Sequence, residues 1–153
     1  MQLETYLNDH LSGATAALEL LEHLEQAHEE LAPFLQKLRH DIELDRKELE
    51  ALMSRVGATR GPVRQAAAWV AEKFARLKMK VDDPSGSKLK LLESLEAVAI
   101  GIHGKGSLWR ALRVAPSASG PDYDRLIARA DEQRERIEAP RLDAARAAFG
   151  SGS

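Results

Sequence analysis

Four ionisable side chains carry most of the chemistry this sequence could support: His10, Asp45, Glu96 and His103. Glu96 and His103 stand seven residues apart on one shoulder of the segment Lys88 to Leu112, beside an apolar face of Leu92, Leu95, Ala99 and Ile102. Seven residues are two helical turns, about 10.5 Å of rise. One ion is not gripped by both across that distance, so each needs partners from facing helices. Asp45 falls between Ile42 and Leu49 on the apolar stripe of its own helix, and a buried carboxylate is costly unless it is paired. His10 and His103 are the partners expected for it. The four residues form a candidate polar binding cluster in the core, either structural or a variant metal or proton-transfer site. No catalytic residue, complete metal ligand set or cofactor is assigned. Glu19, Glu22 and His23 have a spacing that could hold a divalent ion, but the trio is read as a solvated helix surface. His28 is eighteen residues beyond His10 and shares no site with it.

These side chains must be positioned by helices. Apolar residues recur at helical spacing along almost the whole chain and no stretch alternates in the manner of a strand, so the fold class is all-α. The spacing predicts helix one over Leu3 to Ala27, with Leu3, Tyr6, Leu7, Leu11, Ala14, Leu18, Leu21 and Leu24 on one stripe. Helix two starts near Pro33, where a missing amide proton has no intrahelical partner to lose, and carries Phe34, Leu38, Ile42, Leu49, Leu52 and Val56 to a stop at Gly57. The short link makes these two an antiparallel hairpin. Helix three is expected from Gly61-Pro62, with Val63, Ala67, Val70, Phe74 and Leu77 inward, to a stop before Pro84 at Asp82-Asp83. Ser85 or Ser87 is the expected cap of helix four, which runs to about Val114 and contains Gly101, Gly104 and Gly106. Each of those glycines costs about 1 kcal/mol relative to alanine, which points to close helix contact or a local irregularity. After the linker from Ala115 to Pro121, helix five begins at Asp122. Its face of Tyr123, Leu126, Ala130, Ile137 and Ala144 is small and thin, and Pro140 is expected to kink or interrupt it near Ala139.

The chain of 153 residues has the length of one domain, expected as 1–149 with a flexible tail at 150–153. It has no cysteine, which excludes disulfides, thiolate metal sites and cysteine nucleophiles. No apolar run is long enough for a bilayer, and the N-terminus lacks the pattern of a signal peptide, so a cytoplasmic, membrane-free protein is expected. Net charge is −2 but unevenly distributed: residues 1–56 carry −7, residues 57–121 carry +6 and residues 122–153 carry −1. The acidic and basic parts are expected to face each other in the fold or across a homodimer interface. A basic strip including Lys73, Arg76, Lys78, Lys80, Lys88 and Lys90 lacks interleaved aromatics and a reading helix, so nucleic acid is not the expected partner. Trp69 and Trp109 read as core or interface anchors. Phosphate loops, His-Glu-x-x-His, nucleophile elbows and EF-hand loops are absent from the sequence.

A long hairpin, a shorter helix in the connection and two further helices resemble the ferritin-like bundles with a helical crossover. The resemblance rests on this order and on Leu18-Glu19-Leu20-Leu21-Glu22-His23, His40-Asp41-Ile42-Glu43-Leu44-Asp45, and Glu96 with His103. It covers roughly residues 3 to 148, and its motifs are weakly specific. It implies an up-down four-helix bundle with an additional helix in the crossover connection. The di-iron form of that family takes a Glu from each of two helices and a Glu-x-x-His pair from each of the other two. Here Glu43 is followed three residues on by Arg46, and Glu132 by Glu135. Glu132, Glu135 and Glu19 also fall off their apolar stripes. The expectation is therefore a binding or self-association module without a complete di-iron site. The alternative is a metal-binding oxidoreductase or metal-handling protein with a divergent site drawn from the same four residues, so enzymatic activity is left open. A third reading is a small-ligand binder with a pocket between helices two and four.

Overall fold

The computed structural model describes residues 2–61, 65–78 and 84–150. Among the described residues the chain is all-helical: α1 (Gln2–Ala27), α2 (Ala32–Arg55), α3 (Gln65–Lys78), α4 (Pro84–Arg113) and α5 (Tyr123–Phe149), with short 3-10 turns at Glu29–Leu31 and Pro116–Ala118. Among these residues no helix is long and apolar enough to cross a membrane. Pro62, Val63, Lys80, Asp82 and Asp83 lie outside the described residues, as do the tail beyond Gly150 and the side chains of Ala67, Trp69, Val70 and Lys78.

Hydrogen-bonded ion pairs show the sense of the helices. Glu25 meets Arg39 near the α1–α2 turn. From α2 to α5, Glu48 pairs with Arg125, Asp45 with Arg129 and Asp41 with Arg136, so one helix descends as the other rises. From α5 to α4 the order is Asp124 with Arg113, Asp131 with Arg110 and Arg141 with Glu96, again antiparallel. Thus α2 and α4 run the same way, and the segment between them must return along the bundle. α3 sits in that return and buries Phe74 and Leu77 with residues of α1 and α4. Asn8 pins the start of the return: its side-chain amide donates to the Thr59 carbonyl at 2.8 Å and accepts from the Gly61 amide at 3.0 Å.

The inward positions of three helices follow a strict three-four alternation, the period of a bundle seam. On α2 they are Leu35, Leu38, Ile42, Asp45, Leu49 and Leu52; on α4, Leu95, Val98, Ile102, Lys105, Trp109 and Leu112; on α5, Tyr123, Leu126, Ala130, Gln133 and Ile137. All are buried except Lys105, which is mostly covered. Leu35 therefore holds the seam position expected of Phe34, and Val98 the one expected of Ala99, while Phe34 and Ala99 pack at the margin. Asp45, Lys105 and Gln133 occupy equivalent positions, and on α1 the residues facing that level are small. The apolar core consequently divides into two clusters. One contains Leu20, Leu38, Leu95 and Ile137; the other contains Leu7, Leu52, Trp109 and Leu126.

Several local expectations are corrected. Ser85 and Ser87 lie within α4, which begins at Pro84. Pro140 does not interrupt α5, which continues to Phe149; buried Ile137 and Ala144 hold it on either side, and Arg141 ties it to Glu96 on α4. The small face of α5, expected to pack either closely or peripherally, meets α4 in ordinary contact, with Ala130 Cβ 3.7 Å from a Cβ placed on Gly106. Glu19, Glu132 and Glu135 are exposed, as their positions off the stripes imply. The acidic face of α2 is met both by arginines of α5, at Glu48, Asp45 and Asp41, and by the basic segment between residues 57 and 121, through Arg60 at Glu50 and Lys105 at Asp45. Lys73, Arg76 and Lys88 of that segment are exposed.

The stops are local. Asp122 caps α5 by accepting from the Arg125 amide at 3.1 Å. After α2, Gly57 adopts φ +74°, and its amide donates to Ser54 while the Ala58 amide donates back to the Met53 carbonyl at 2.8 Å. This paired closure needs a left-handed residue, which glycine adopts without a steric penalty. Gly57→Ala is expected to lower the unfolding free energy by about 1 kcal/mol, read as a shifted urea midpoint with an unchanged slope.

Candidate functional site

Among the described residues, Asp45 is a buried carboxylate held by side chains of two other helices. At 2% exposure its carboxylate is out of water, yet it accepts three hydrogen bonds. Oδ1 accepts from Arg129 Nε at 2.7 Å and lies 2.5 Å from the same guanidinium's Nη2. Oδ2 accepts from Lys105 Nζ at 2.5 Å and from Gln133 Nε2 at 2.9 Å. Lys105 also donates to Gln133 Oε1 at 2.5 Å. The histidine partners expected for Asp45 are thus replaced by a lysine, an arginine and a glutamine. The cause is register: Lys105 and Gln133 hold the same seam position as Asp45 on their helices, and Arg129 lies one turn before Gln133 on α5.

The same level contains a cavity of about 330 Å³ between α1, α2 and α4, with Phe74 of α3 on its wall. His10, Asp45 and Lys105 line it together with Trp109, Arg46 and apolar side chains that include Ile42, Leu49 and Val98. It reaches the surface beside Ile100 and Gly101, both exposed. Of the four residues expected to cluster, the structure brings His10 and Asp45 to one cavity. Glu96 is half-buried and accepts from Arg141 at 3.0 Å, and His103 is exposed and off the cavity wall.

The space arises from missing side chains. Gly13 and Ala14 of α1 and Gly101 and Gly104 of α4 line it, and a Cβ placed on Gly13, Gly101 or Gly104 would meet nothing within 4 Å. At Gly106, by contrast, an added Cβ would lie 3.0 Å from the Arg110 guanidinium of the same helix and in ordinary contact, 3.7 Å, with Ala130 Cβ of α5. Burial pulls the His10 imidazole below its ordinary value, against an opposing pull from Asp9. Its ring stands edge-on to Tyr6 at 4.8 Å between centroids. Burial likewise pulls the Lys105 ammonium down; Asp45 opposes this and Arg129 adds to it. Trp109, 1% exposed, has an indole N–H without a hydrogen-bond partner.

Among the described residues, no group of three or more His, Asp or Glu side chains is placed to hold a metal ion. Glu19 and Glu22 are exposed, and His23 is half-buried on the same helix. Lys105 and Gln133 were legible as interruptions of apolar seams at the level of Asp45. A reading that followed only apolar residues stepped over them, and Arg129 carried no such signal. No protein-family model, curated protein or solved structure matches the chain.

Removing Asp45 leaves Lys105 and Arg129 buried without their counter-ion. Asp45→Ala is expected to cost about 3 kcal/mol or more, whereas Asp45→Leu combined with Lys105→Met and Arg129→Met recovers much of that loss. Urea denaturation of the two variants checks both statements. The Lys105 pKa is lowered on folding, so between that value and the ordinary 10.5 the unfolded chain binds more protons and stability rises with pH. The difference in unfolding free energy between wild type and Lys105→Met should therefore move in favour of wild type as pH rises towards 10.5.

Proposed function

We propose that this chain is a small-molecule-binding helical bundle whose site is the cavity between α1, α2 and α4. One observation carries the reading: three mid-helix glycines that no neighbour requires all line the same space. Each weakens its helix by about 1 kcal/mol relative to alanine, and the return is a volume within the range of ligand pockets. The wall has the composition of such a pocket, mostly apolar with a few convergent polar groups and titratable residues perturbed by burial.

The arrangement proposed for the bundle is ferritin-like, with α3 as the crossover helix. The support is the shared direction of α2 and α4, read from the ion pairs, which demands a long return connection. In this reading a fixed ion cluster occupies the core level where a bundle of that kind could carry metal-binding carboxylates, and the cavity beside it does the binding. The metal-handling alternative would need Asp45 to exchange two cations for a third.

Naphthalene, a neutral apolar probe, tests the cavity. It should bind the wild-type chain and shift the Trp109 indole resonance in NMR spectra. Gly104→Ala is expected to raise stability by about 1 kcal/mol, because the added methyl meets no neighbour. Gly104→Leu should stay folded and lose naphthalene affinity by about tenfold or more. A Gly104→Leu variant that binds as tightly as wild type would sink the reading.

A further inference from the structure

Resting on the cavity reading, we infer that the occupant is a monocarboxylate with an apolar body, its carboxylate received by Lys105 and the Trp109 indole N–H. The inference comes from which hydrogen-bonding positions on the wall remain unused. Asp45 already accepts three hydrogen bonds, from Arg129, Lys105 and Gln133, of the about four a carboxylate can take, and Arg129 Nη2 lies 2.5 Å from its Oδ1. Donors are in surplus. An ammonium has three N–H bonds, and Lys105 directs two of them to Asp45 and Gln133. Trp109 is buried on the wall with its N–H unpartnered, and indole nitrogen can only donate. Arg46 Nε, also on the wall, makes no hydrogen bond and lies 3.6 Å from Glu50 Oε1. A buried donor left unmet is costly, so the complementary ligand brings acceptors.

Charge points the same way. The ion cluster holds one carboxylate against the cations Lys105 and Arg129; Asp9 and Arg46, also on the cavity wall, offset each other, so the surroundings of Lys105 keep an excess of one positive charge. An incoming carboxylate neutralises that excess, whereas an ammonium ligand would add to it. The remaining wall, with Ile42, Leu49, Phe74 and Val98, suits hydrocarbon. Size sets a limit. A cavity of about 150 Å³ accepts benzene, so by proportion 330 Å³ admits about thirteen non-hydrogen atoms, with about ten of them in the apolar body.

A matched series tests this: naphthalene, 2-naphthoate and 2-naphthylmethylammonium, titrated into the intact chain by calorimetry and NMR. The naphthoate is expected to bind about tenfold tighter than naphthalene, the size of one or two charge-assisted hydrogen bonds, and the ammonium more weakly than naphthalene. The Trp109 indole proton should move downfield with the carboxylate and not with naphthalene. Lys105→Gln should abolish the preference while keeping naphthalene affinity within about twofold. Trp109→Phe, which deletes the N–H and keeps an aromatic ring, should reduce the preference several-fold and serves if the lysine variant does not fold. Naphthalene binding as tightly as naphthoate, or the ammonium binding best, overturns the carboxylate assignment and leaves the cavity reading standing. Failure of all three probes to bind overturns the cavity reading itself.

Discussion

The dehydrated carboxylate of Asp45 is the constraint to which the rest of the bundle answers. A charge at that depth is tolerable only when its partners come from other helices at one height, and they do so from both α4 and α5. That requirement ties the α1–α2 hairpin to the α4–α5 hairpin in a single register. Sliding α5 by one seam repeat would set Leu126 or Pro140 against Asp45, and the same slip of α4 would bring Val98 or Leu112. None of these can answer a carboxylate. Apolar seams alone would tolerate such slips far better, which is the best-attested use of buried polar residues in helical assemblies.

The ion cluster also explains why the space beside it stays open. An apolar side chain grown from α1 into that level would cover the Lys105 ammonium and the indole of Trp109 without offering an acceptor to either. Small residues at Gly13 and Ala14 avoid this, and Gly101 and Gly104 extend the opening along α4. The cost is helical propensity and a divided core. The two apolar clusters on either side supply the compensating burial, anchored by fully covered side chains such as Leu20 and Leu95 in one and Leu7 and Trp109 in the other.

Helix number, order and most inward faces were legible because they rest on periodicity, and Gly57 and Asp122 marked their stops by mechanisms that act within a few residues. Asp45 was legible too, since a carboxylate between Ile42 and Leu49 must be paired. Its partners were not. Which cations reach it depends on the relative height of helices far apart in the chain, and no local pattern sets that height. Of the two histidines considered as partners, His10 shares the cavity wall with Asp45, whereas His103, which holds no seam position, is exposed. Pro140 does not interrupt α5: its local penalty is real, but buried Ile137 and Ala144 hold the helix on either side. The cavity had a sequence trace in the helical glycines, and only the neighbours of each separate Gly106, which has Arg110 and Ala130 beside it, from Gly101 and Gly104, which face open space.

The walls of that cavity belong to different halves of the molecule. His10, Asp45 and Arg46 come from the first hairpin, and Lys105 and Trp109 from α4 in the second, so neither hairpin encloses the space by itself. Any occupant therefore recognises the docked assembly and not its parts. By thermodynamic linkage it must then strengthen the docking, by an amount set by its concentration relative to its dissociation constant. A molecule held there acts as a cross-brace between the two hairpins, and the resistance of the whole bundle to being pulled apart becomes a measure of how much of that molecule surrounds it.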